Sequence, residues 1–239
     1  MATQSLMKYI YFALLLLAID AAISLALVSS MVAFLHTKGR GPFAITFIIN
    51  GPLVHLAGEP ANLMVNQGHV TNGAGGTALV LVGFGGLIAL WLENRSRKTQ
   101  GKSSPIFYLW VLIVVLSWLL TLSALIYVFK VTATTAGQSI SLVLATDYQA
   151  PAKYPQDDWT PETWFSAVLN RPLVSQSDRD VIAHNLRLMR GWRLNIIPLF
   201  ILGFVLMTLV IVEMVRMRKS RGTYGGAAAE GLVGNKGRW

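Results

Sequence analysis

Residues 9–35, YIYFALLLLAIDAAISLALVSSMVAFL, form a run of 27 residues whose only charge is Asp20. As an α-helix rising about 1.5 Å per residue, the run reaches about 40 Å, beyond the roughly 30 Å of a bilayer's hydrocarbon core. In hydrocarbon every backbone N–H and C=O must be satisfied within the segment, so such a run becomes a transmembrane helix, tilted or projecting past the bilayer. Lys8 supplies the basic flank of a cleaved leader. A leader's apolar region is only about 7–15 residues, however, so the run is read as a span.

Three more apolar runs follow, at about residues 77–91 (with an alternative start a few residues earlier, in the glycine run), 105–131 and 194–215. With 54% hydrophobic and 13% charged residues, the chain has the composition of an integral membrane protein. The expectation is an all-α membrane protein: a four-transmembrane-helix bundle over residues 1–221, followed by a Gly- and Ala-rich tail at 222–239 that reads as flexible. Two long connections, 36–75 and 132–192, should build a small extracellular region of short β-sheet and short helices. PFAITFIIN (42–50) is too short to span as a helix and reads as a strand or a membrane-surface segment, while the rest of that connection, rich in Gly, Pro and Asn, reads as irregular. QSISLVLATDYQ (138–149) is its expected strand partner. Thr160 as cap, Pro161 at the first helical position and Glu162 in the first turn predict a short helix ended by Arg171-Pro172. Ser175 or Ser177 should cap the next helix, which runs on toward the fourth span.

Charge placement sets the expected orientation. Eleven of the twenty lysines and arginines lie in the N-terminus, the turn at 93–102 and the C-terminal tail. Those segments are short, so the positive-inside rule puts both termini in the cytosol and both long connections outside, in a multi-pass protein of the plasma membrane. The net charge of +9 follows the span ends, where it meets anionic lipid, and forms no basic soluble surface. Nucleic acid is therefore not an expected partner.

Asp20 is the deepest ionisable group, and a carboxyl there should be protonated, hydrogen-bonded or turned to a polar interior. Ser24, one turn on, is a local candidate partner; Ser117 and Trp118 of the third span fall at a similar depth. A structural hydrogen bond is the plainer reading, a proton or ion relay the sharper one. Gly76, Gly83 and Gly86 recur at helical spacing and suggest a close-packing stripe, either within the bundle or toward a second subunit. Arg187, Arg190 and Arg193 approximate one helix face just outside the membrane, where they could hold lipid headgroups or pair with acids of the same connection.

Little else points to chemistry. There is no Cys, and no Gly-x-Ser-x-Gly, phosphate-loop or HExxH motif. His36, His55, His69 and His184 lie in connections or near span ends, away from any haem position inside the bundle. His55, Glu59 and His69 match no strong metal-ligand spacing. No catalytic residue, metal or cofactor is expected.

The layout of four spans, cytosolic termini and two external loops resembles claudins, tetraspanins and MARVEL-type proteins. The chain lacks the Trp–Gly-Leu-Trp–Cys–Cys pattern of claudins and the Cys-Cys-Gly motif of tetraspanins. DDWTPETWF and LMRGWRLNIIPLFILG are similar to segments of fungal four-span, claudin-like proteins. The resemblance implies a four-helix fold and carries over no functional residue. The expected function is that of a non-enzymatic membrane organiser, acting by self-association into a homo-oligomer or by binding a larger membrane partner. The alternative is a channel, transporter or accessory transport subunit using Asp20.

Overall fold

The computed structural model describes residues 2–46, 51–100 and 102–234, with side chains over 6–46, 51–99 and 102–219. In chain order the elements are α1 (Ala2–His36), a 3₁₀ turn (Lys38–Arg40), β1 (Phe43–Ile45), β2 (Val54–Leu56) and α2 (Asn66–Gly76). A π-helical stretch (Thr77–Phe84) then leads into α3 (Gly85–Gln100), and α4 (Pro105–Thr134), α5 (Leu142–Asp147), α6 (Pro161–Leu169) and α7 (Gln176–Gly234) complete the chain. Four helical stretches are long and apolar enough to cross a membrane: Leu6–His36, Asn66–Thr99, Pro105–Thr134 and Gln176–Lys219. α7 continues into the segment whose composition suggests a tail; residues 235–239 lie outside the described residues.

Internal contacts divide the chain into two units. The first comprises Met1–Ile19, Thr77–Leu119 and Ile201–Trp239, and so contains both termini and the 93–102 turn. Its core includes Ile10, Leu14, Val82, Leu90, Phe107 and Trp110, all buried. Trp110 explains a local departure from α geometry. The wider i→i+5 turns of the π stretch disturb the regular carbonyl ladder, and the Trp110 indole N–H donates to the Val82 carbonyl at 3.1 Å. Gly86 makes room for that ring: a Cβ there would lie 2.7 Å from Trp110 Cζ2.

The second unit, Asp20–Gly76 with Leu120–Phe200, contains both long connections and the larger apolar core. Trp159, Trp164 and Tyr154 form its centre, with Trp159 and Trp164 ring centroids 5.1 Å apart and edge-on. Each ring also finds a polar partner. Trp164 Nε1 donates to the Gly58 carbonyl at 2.7 Å, Trp159 Nε1 to the Gln156 carbonyl at 2.8 Å, and Tyr154 Oη accepts from the Ser141 N–H at 3.0 Å. Burying a Trp or Tyr with its N–H or O–H satisfied gains the whole area of the ring without an unpaired group. Gly58 itself sits against the backbone of residues 39 and 40, where a Cβ would come within 2.1 Å of the Gly39 carbonyl oxygen.

Three local expectations give way to tertiary packing. β1 pairs antiparallel with β2, Phe43 opposite Leu56 and Ile45 opposite Val54, not with 138–149; of the expected strand 42–50, residues 47–50 lie outside the described residues. On its other side β1 meets residues 172–174, through a bridge between Ile45 and Leu173. The 138–149 stretch instead forms the short helix α5, which turns Ala145 into the core and leaves Leu142 and Val143 exposed. Residues 66–76, expected to be irregular, are helical because Gln67, Thr71, Ala74 and Gly75 recur at helical spacing and are buried. The second span therefore starts well before the apolar run at 77–91.

Candidate functional site

Thr160 holds α6 in place by a reciprocal capping pair with Thr163, and Pro161 follows at the first helical position. This fixes Glu162 in the first turn, facing α7. Arg193 Nε lies 3.1 Å from Glu162 Oε2 and Arg190 Nε 3.7 Å from Oε1. The Arg193 guanidinium also rests over the Phe129 ring of α4, 5.7 Å from its centroid. These groups line a groove of about 590 Å³ walled by the end of α4, residues 136–139, α6 and α7. Gln138, Ser139, Thr163, Ser166 and Asn170 supply its uncharged polar atoms.

The groove's polar groups are only partly satisfied. Gln138 Oε1, Glu162 Oε2 and Arg193 Nε are buried and carry no aligned hydrogen bond among the described residues, although the last two face each other as an ion pair. Burial pushes the Glu162 carboxyl above its ordinary value of 4.5, with Arg193 and then Arg190 pulling it back. The arrangement presents two cations, one carboxyl and several amides and hydroxyls. It suits recognition of a ligand bearing an anion together with hydrogen-bond donors. Arg187, predicted as part of the same basic face, is exposed and does not line the groove.

Asp20 is half-buried, with Ser24 fully buried one turn further along α1. The expected bond between them does not form: Asp20 Oδ2 and Ser24 Oγ are each buried without a hydrogen bond among the described residues. The Asp20 carbonyl accepts from Asn195 Nδ2 at 3.4 Å, which ties the helix backbone, not the carboxyl. Ser117 is buried on α4, and the Trp118 ring packs on Phe204 with centroids 5.6 Å apart. The glycines of the proposed stripe differ from one another. Gly86 lies under Trp110, a Cβ at Gly83 would meet the Ala18 Cβ at 3.5 Å, and a Cβ at Gly76 would meet nothing within 4 Å. The π turns between Gly76 and Gly83 change the helical register on which the stripe depends.

A charged cluster in the first unit escaped sequence reasoning. Arg97 donates from Nε to Glu93 and from Nη1 to Glu213, both at 2.8 Å, and Glu93 also accepts from the Ser104 N–H at 2.7 Å. Both carboxylates are fully buried. The cluster thus ties together α3, the turn before α4, and α7. A signal was present: Glu213 is the lone acid within VLMTLVIVEMV, and an acid in an apolar span calls for a partner.

The possible metal set does not assemble. Glu59 pairs with Lys153 at 3.3 Å, His55 is exposed on β2, and no group of three metal-ligating side chains occurs among the described residues. Comparison with protein-family models, with curated proteins and with solved structures finds no match to this chain.

Proposed function

We propose that this protein is a non-enzymatic, multi-pass organiser of the plasma membrane, acting by lateral self-association or by binding a larger membrane protein. The observation that carries the reading is the apolar surface outside the four candidate spans. Leu53 beside β2, Val143 on α5 and Val174 beside β1 are 52%, 67% and 57% exposed. The Val174 N–H donates to the Ala44 carbonyl, and Ala44 pairs with His55, so Val174, Ala44 and His55 share the outer face of the small sheet. Exposed large apolar side chains outside the apolar runs are candidates for an association surface. The test is native size in several mild detergents and in membrane-derived nanodiscs, with identification of co-purifying proteins. Replacing Val143 and Val174 by Ser should reduce the assembly and leave thermal stability unchanged. A parent that is monomeric and partnerless throughout would defeat the proposal.

A second reading, transport through a path containing Asp20, is favoured by one observation: among the described residues, Asp20 Oδ2 and Ser24 Oγ lie buried without hydrogen bonds. Two such groups one turn apart could serve a proton or ion. Reconstituted vesicles that show a proton or ion flux, abolished by Asp20→Asn, would replace the organiser reading with this one.

A further inference from the structure

We propose that the groove between the end of α4, α6 and α7 holds the headgroup of one phospholipid. Its phosphate lies on Arg190 and Arg193, and an amine or hydroxyl of the same headgroup lies on Glu162 and Gln138. Position is the first ground. Thr132 and Ala133 of the lining close the candidate span Pro105–Thr134, and Arg193 immediately precedes the apolar run that begins at Leu194. The groove thus lies where the apolar runs of α4 and α7 end, the sequence context in which basic side chains meet lipid phosphate.

Charge is the second ground. Glu162, Arg190 and Arg193 are the ionisable residues of the lining, which leaves an excess of one cation at a site built from arginines. Arginine's planar fork suits phosphate oxygens better than a lysine would. The third ground is the set of unfilled valences. Gln138 Oε1 is buried without a hydrogen bond among the described residues, and Glu162 Oε2 and Arg193 Nε, an ion pair 3.1 Å apart, make no aligned hydrogen bond with each other. A simple anion answers only the arginines. A headgroup that joins a phosphate to an amine or to hydroxyls answers both kinds of group. The volume of about 590 Å³ is that of a small-molecule site.

The experiment is native mass spectrometry of the full chain released from nanodiscs, with melting temperature recorded in parallel. The parent should carry a phospholipid adduct. Arg190→Gln combined with Arg193→Gln should lower its occupancy about tenfold, the loss expected from removing a charge-assisted hydrogen bond. Arg187→Gln, on the same helix but outside the groove, should leave it unchanged. Glu162→Gln should shift the retained lipid toward phosphatidic acid, whose headgroup has neither an amine nor an alcohol hydroxyl. Should the double variant fail to fold, Arg190→Gln alone alters a half-exposed side chain and should still lower occupancy. Excess inorganic phosphate forms the second arm. If it strips the adduct, or raises the melting temperature as much as added phospholipid does, the groove is a free-anion site and the lipid assignment fails. An adduct absent from the parent, or retained by a double variant that melts with the parent, overturns the proposal.

Discussion

Arg97 stands between Glu93 and Glu213, two carboxylates with no exposure to water, and donates a hydrogen bond to each. Removing one partner of a buried ion pair strands the other charge, at a cost of about 3–5 kcal/mol, far above that of an exposed pair. Arg97→Met should therefore lower the melting temperature sharply, and the double change Glu93→Gln with Glu213→Gln in the same background should recover part of the loss. An Arg97→Met protein that melts with the parent would show that the cluster contributes nothing. Glu162 behaves differently, because its folded-state pKa lies above the ordinary 4.5. The folded protein holds this proton more tightly than the unfolded chain. The associated stability is complete below the unfolded pKa and is lost as pH rises through the folded one. Melting curves recorded from the carboxylate range upward should fall more steeply for the parent than for Glu162→Gln. Parallel curves would contradict the shift.

At the scale of elements, the second span shows packing overruling propensity. Its glycines weaken a helix by about 1 kcal/mol each relative to Ala, yet helical turns run without a break from Asn66 to Gln100. Gly86 yields to one specific contact, since a Cβ there would collide with the Trp110 ring that holds the Val82 carbonyl. Gly76 has no such neighbour within 4 Å. Gly86→Ala should thus lower thermal stability, whereas Gly76→Ala should leave it level or raise it by up to about 1 kcal/mol. A Gly86→Ala variant as stable as the parent would mean that Trp110 moves aside at no cost. Gly75 packs on Leu25, where a Cβ would stand 3.4 Å from Cδ2, and this burial helps explain why α2 forms from so polar a sequence.

For the whole molecule, both long connections belong to one unit and both termini to the other. The absence of Cys makes orientation directly measurable. Lys102→Cys and Ala152→Cys place single thiols at exposed positions, one in each unit. On intact cells an impermeant thiol reagent should label position 152 and spare position 102. The opposite pattern would reverse the proposed topology, and would move the apolar surface around Val143 and Val174 to the cytosolic side.

Hydrophobic runs and caps were legible in the sequence because each depends on residues near one another in the chain. Four helices long and apolar enough to cross a membrane, the Thr160–Pro161 start of α6, Ser175 at the head of α7 and the passage of α7 into the fourth apolar run could all be read that way. The pairing of β1 with β2, the helical form of 142–147 and the extension of the second helical stretch back past the glycine run to Asn66 could not. Each is decided by what the segment packs against, and short apolar stretches are compatible with more than one local structure. Candidate residues divide in the same way. Arginines at three-residue spacing were visible as a face, but only the tertiary structure selects Arg190 and Arg193 by turning Glu162 toward them and leaving Arg187 in the open. Glu93, Arg97 and Glu213 are brought together across 116 residues of sequence between Arg97 and Glu213, a distance over which local pattern carries no signal. The physical reason is common to all of these: local free energy selects helices and their ends, while long-range burial decides which polar groups must meet.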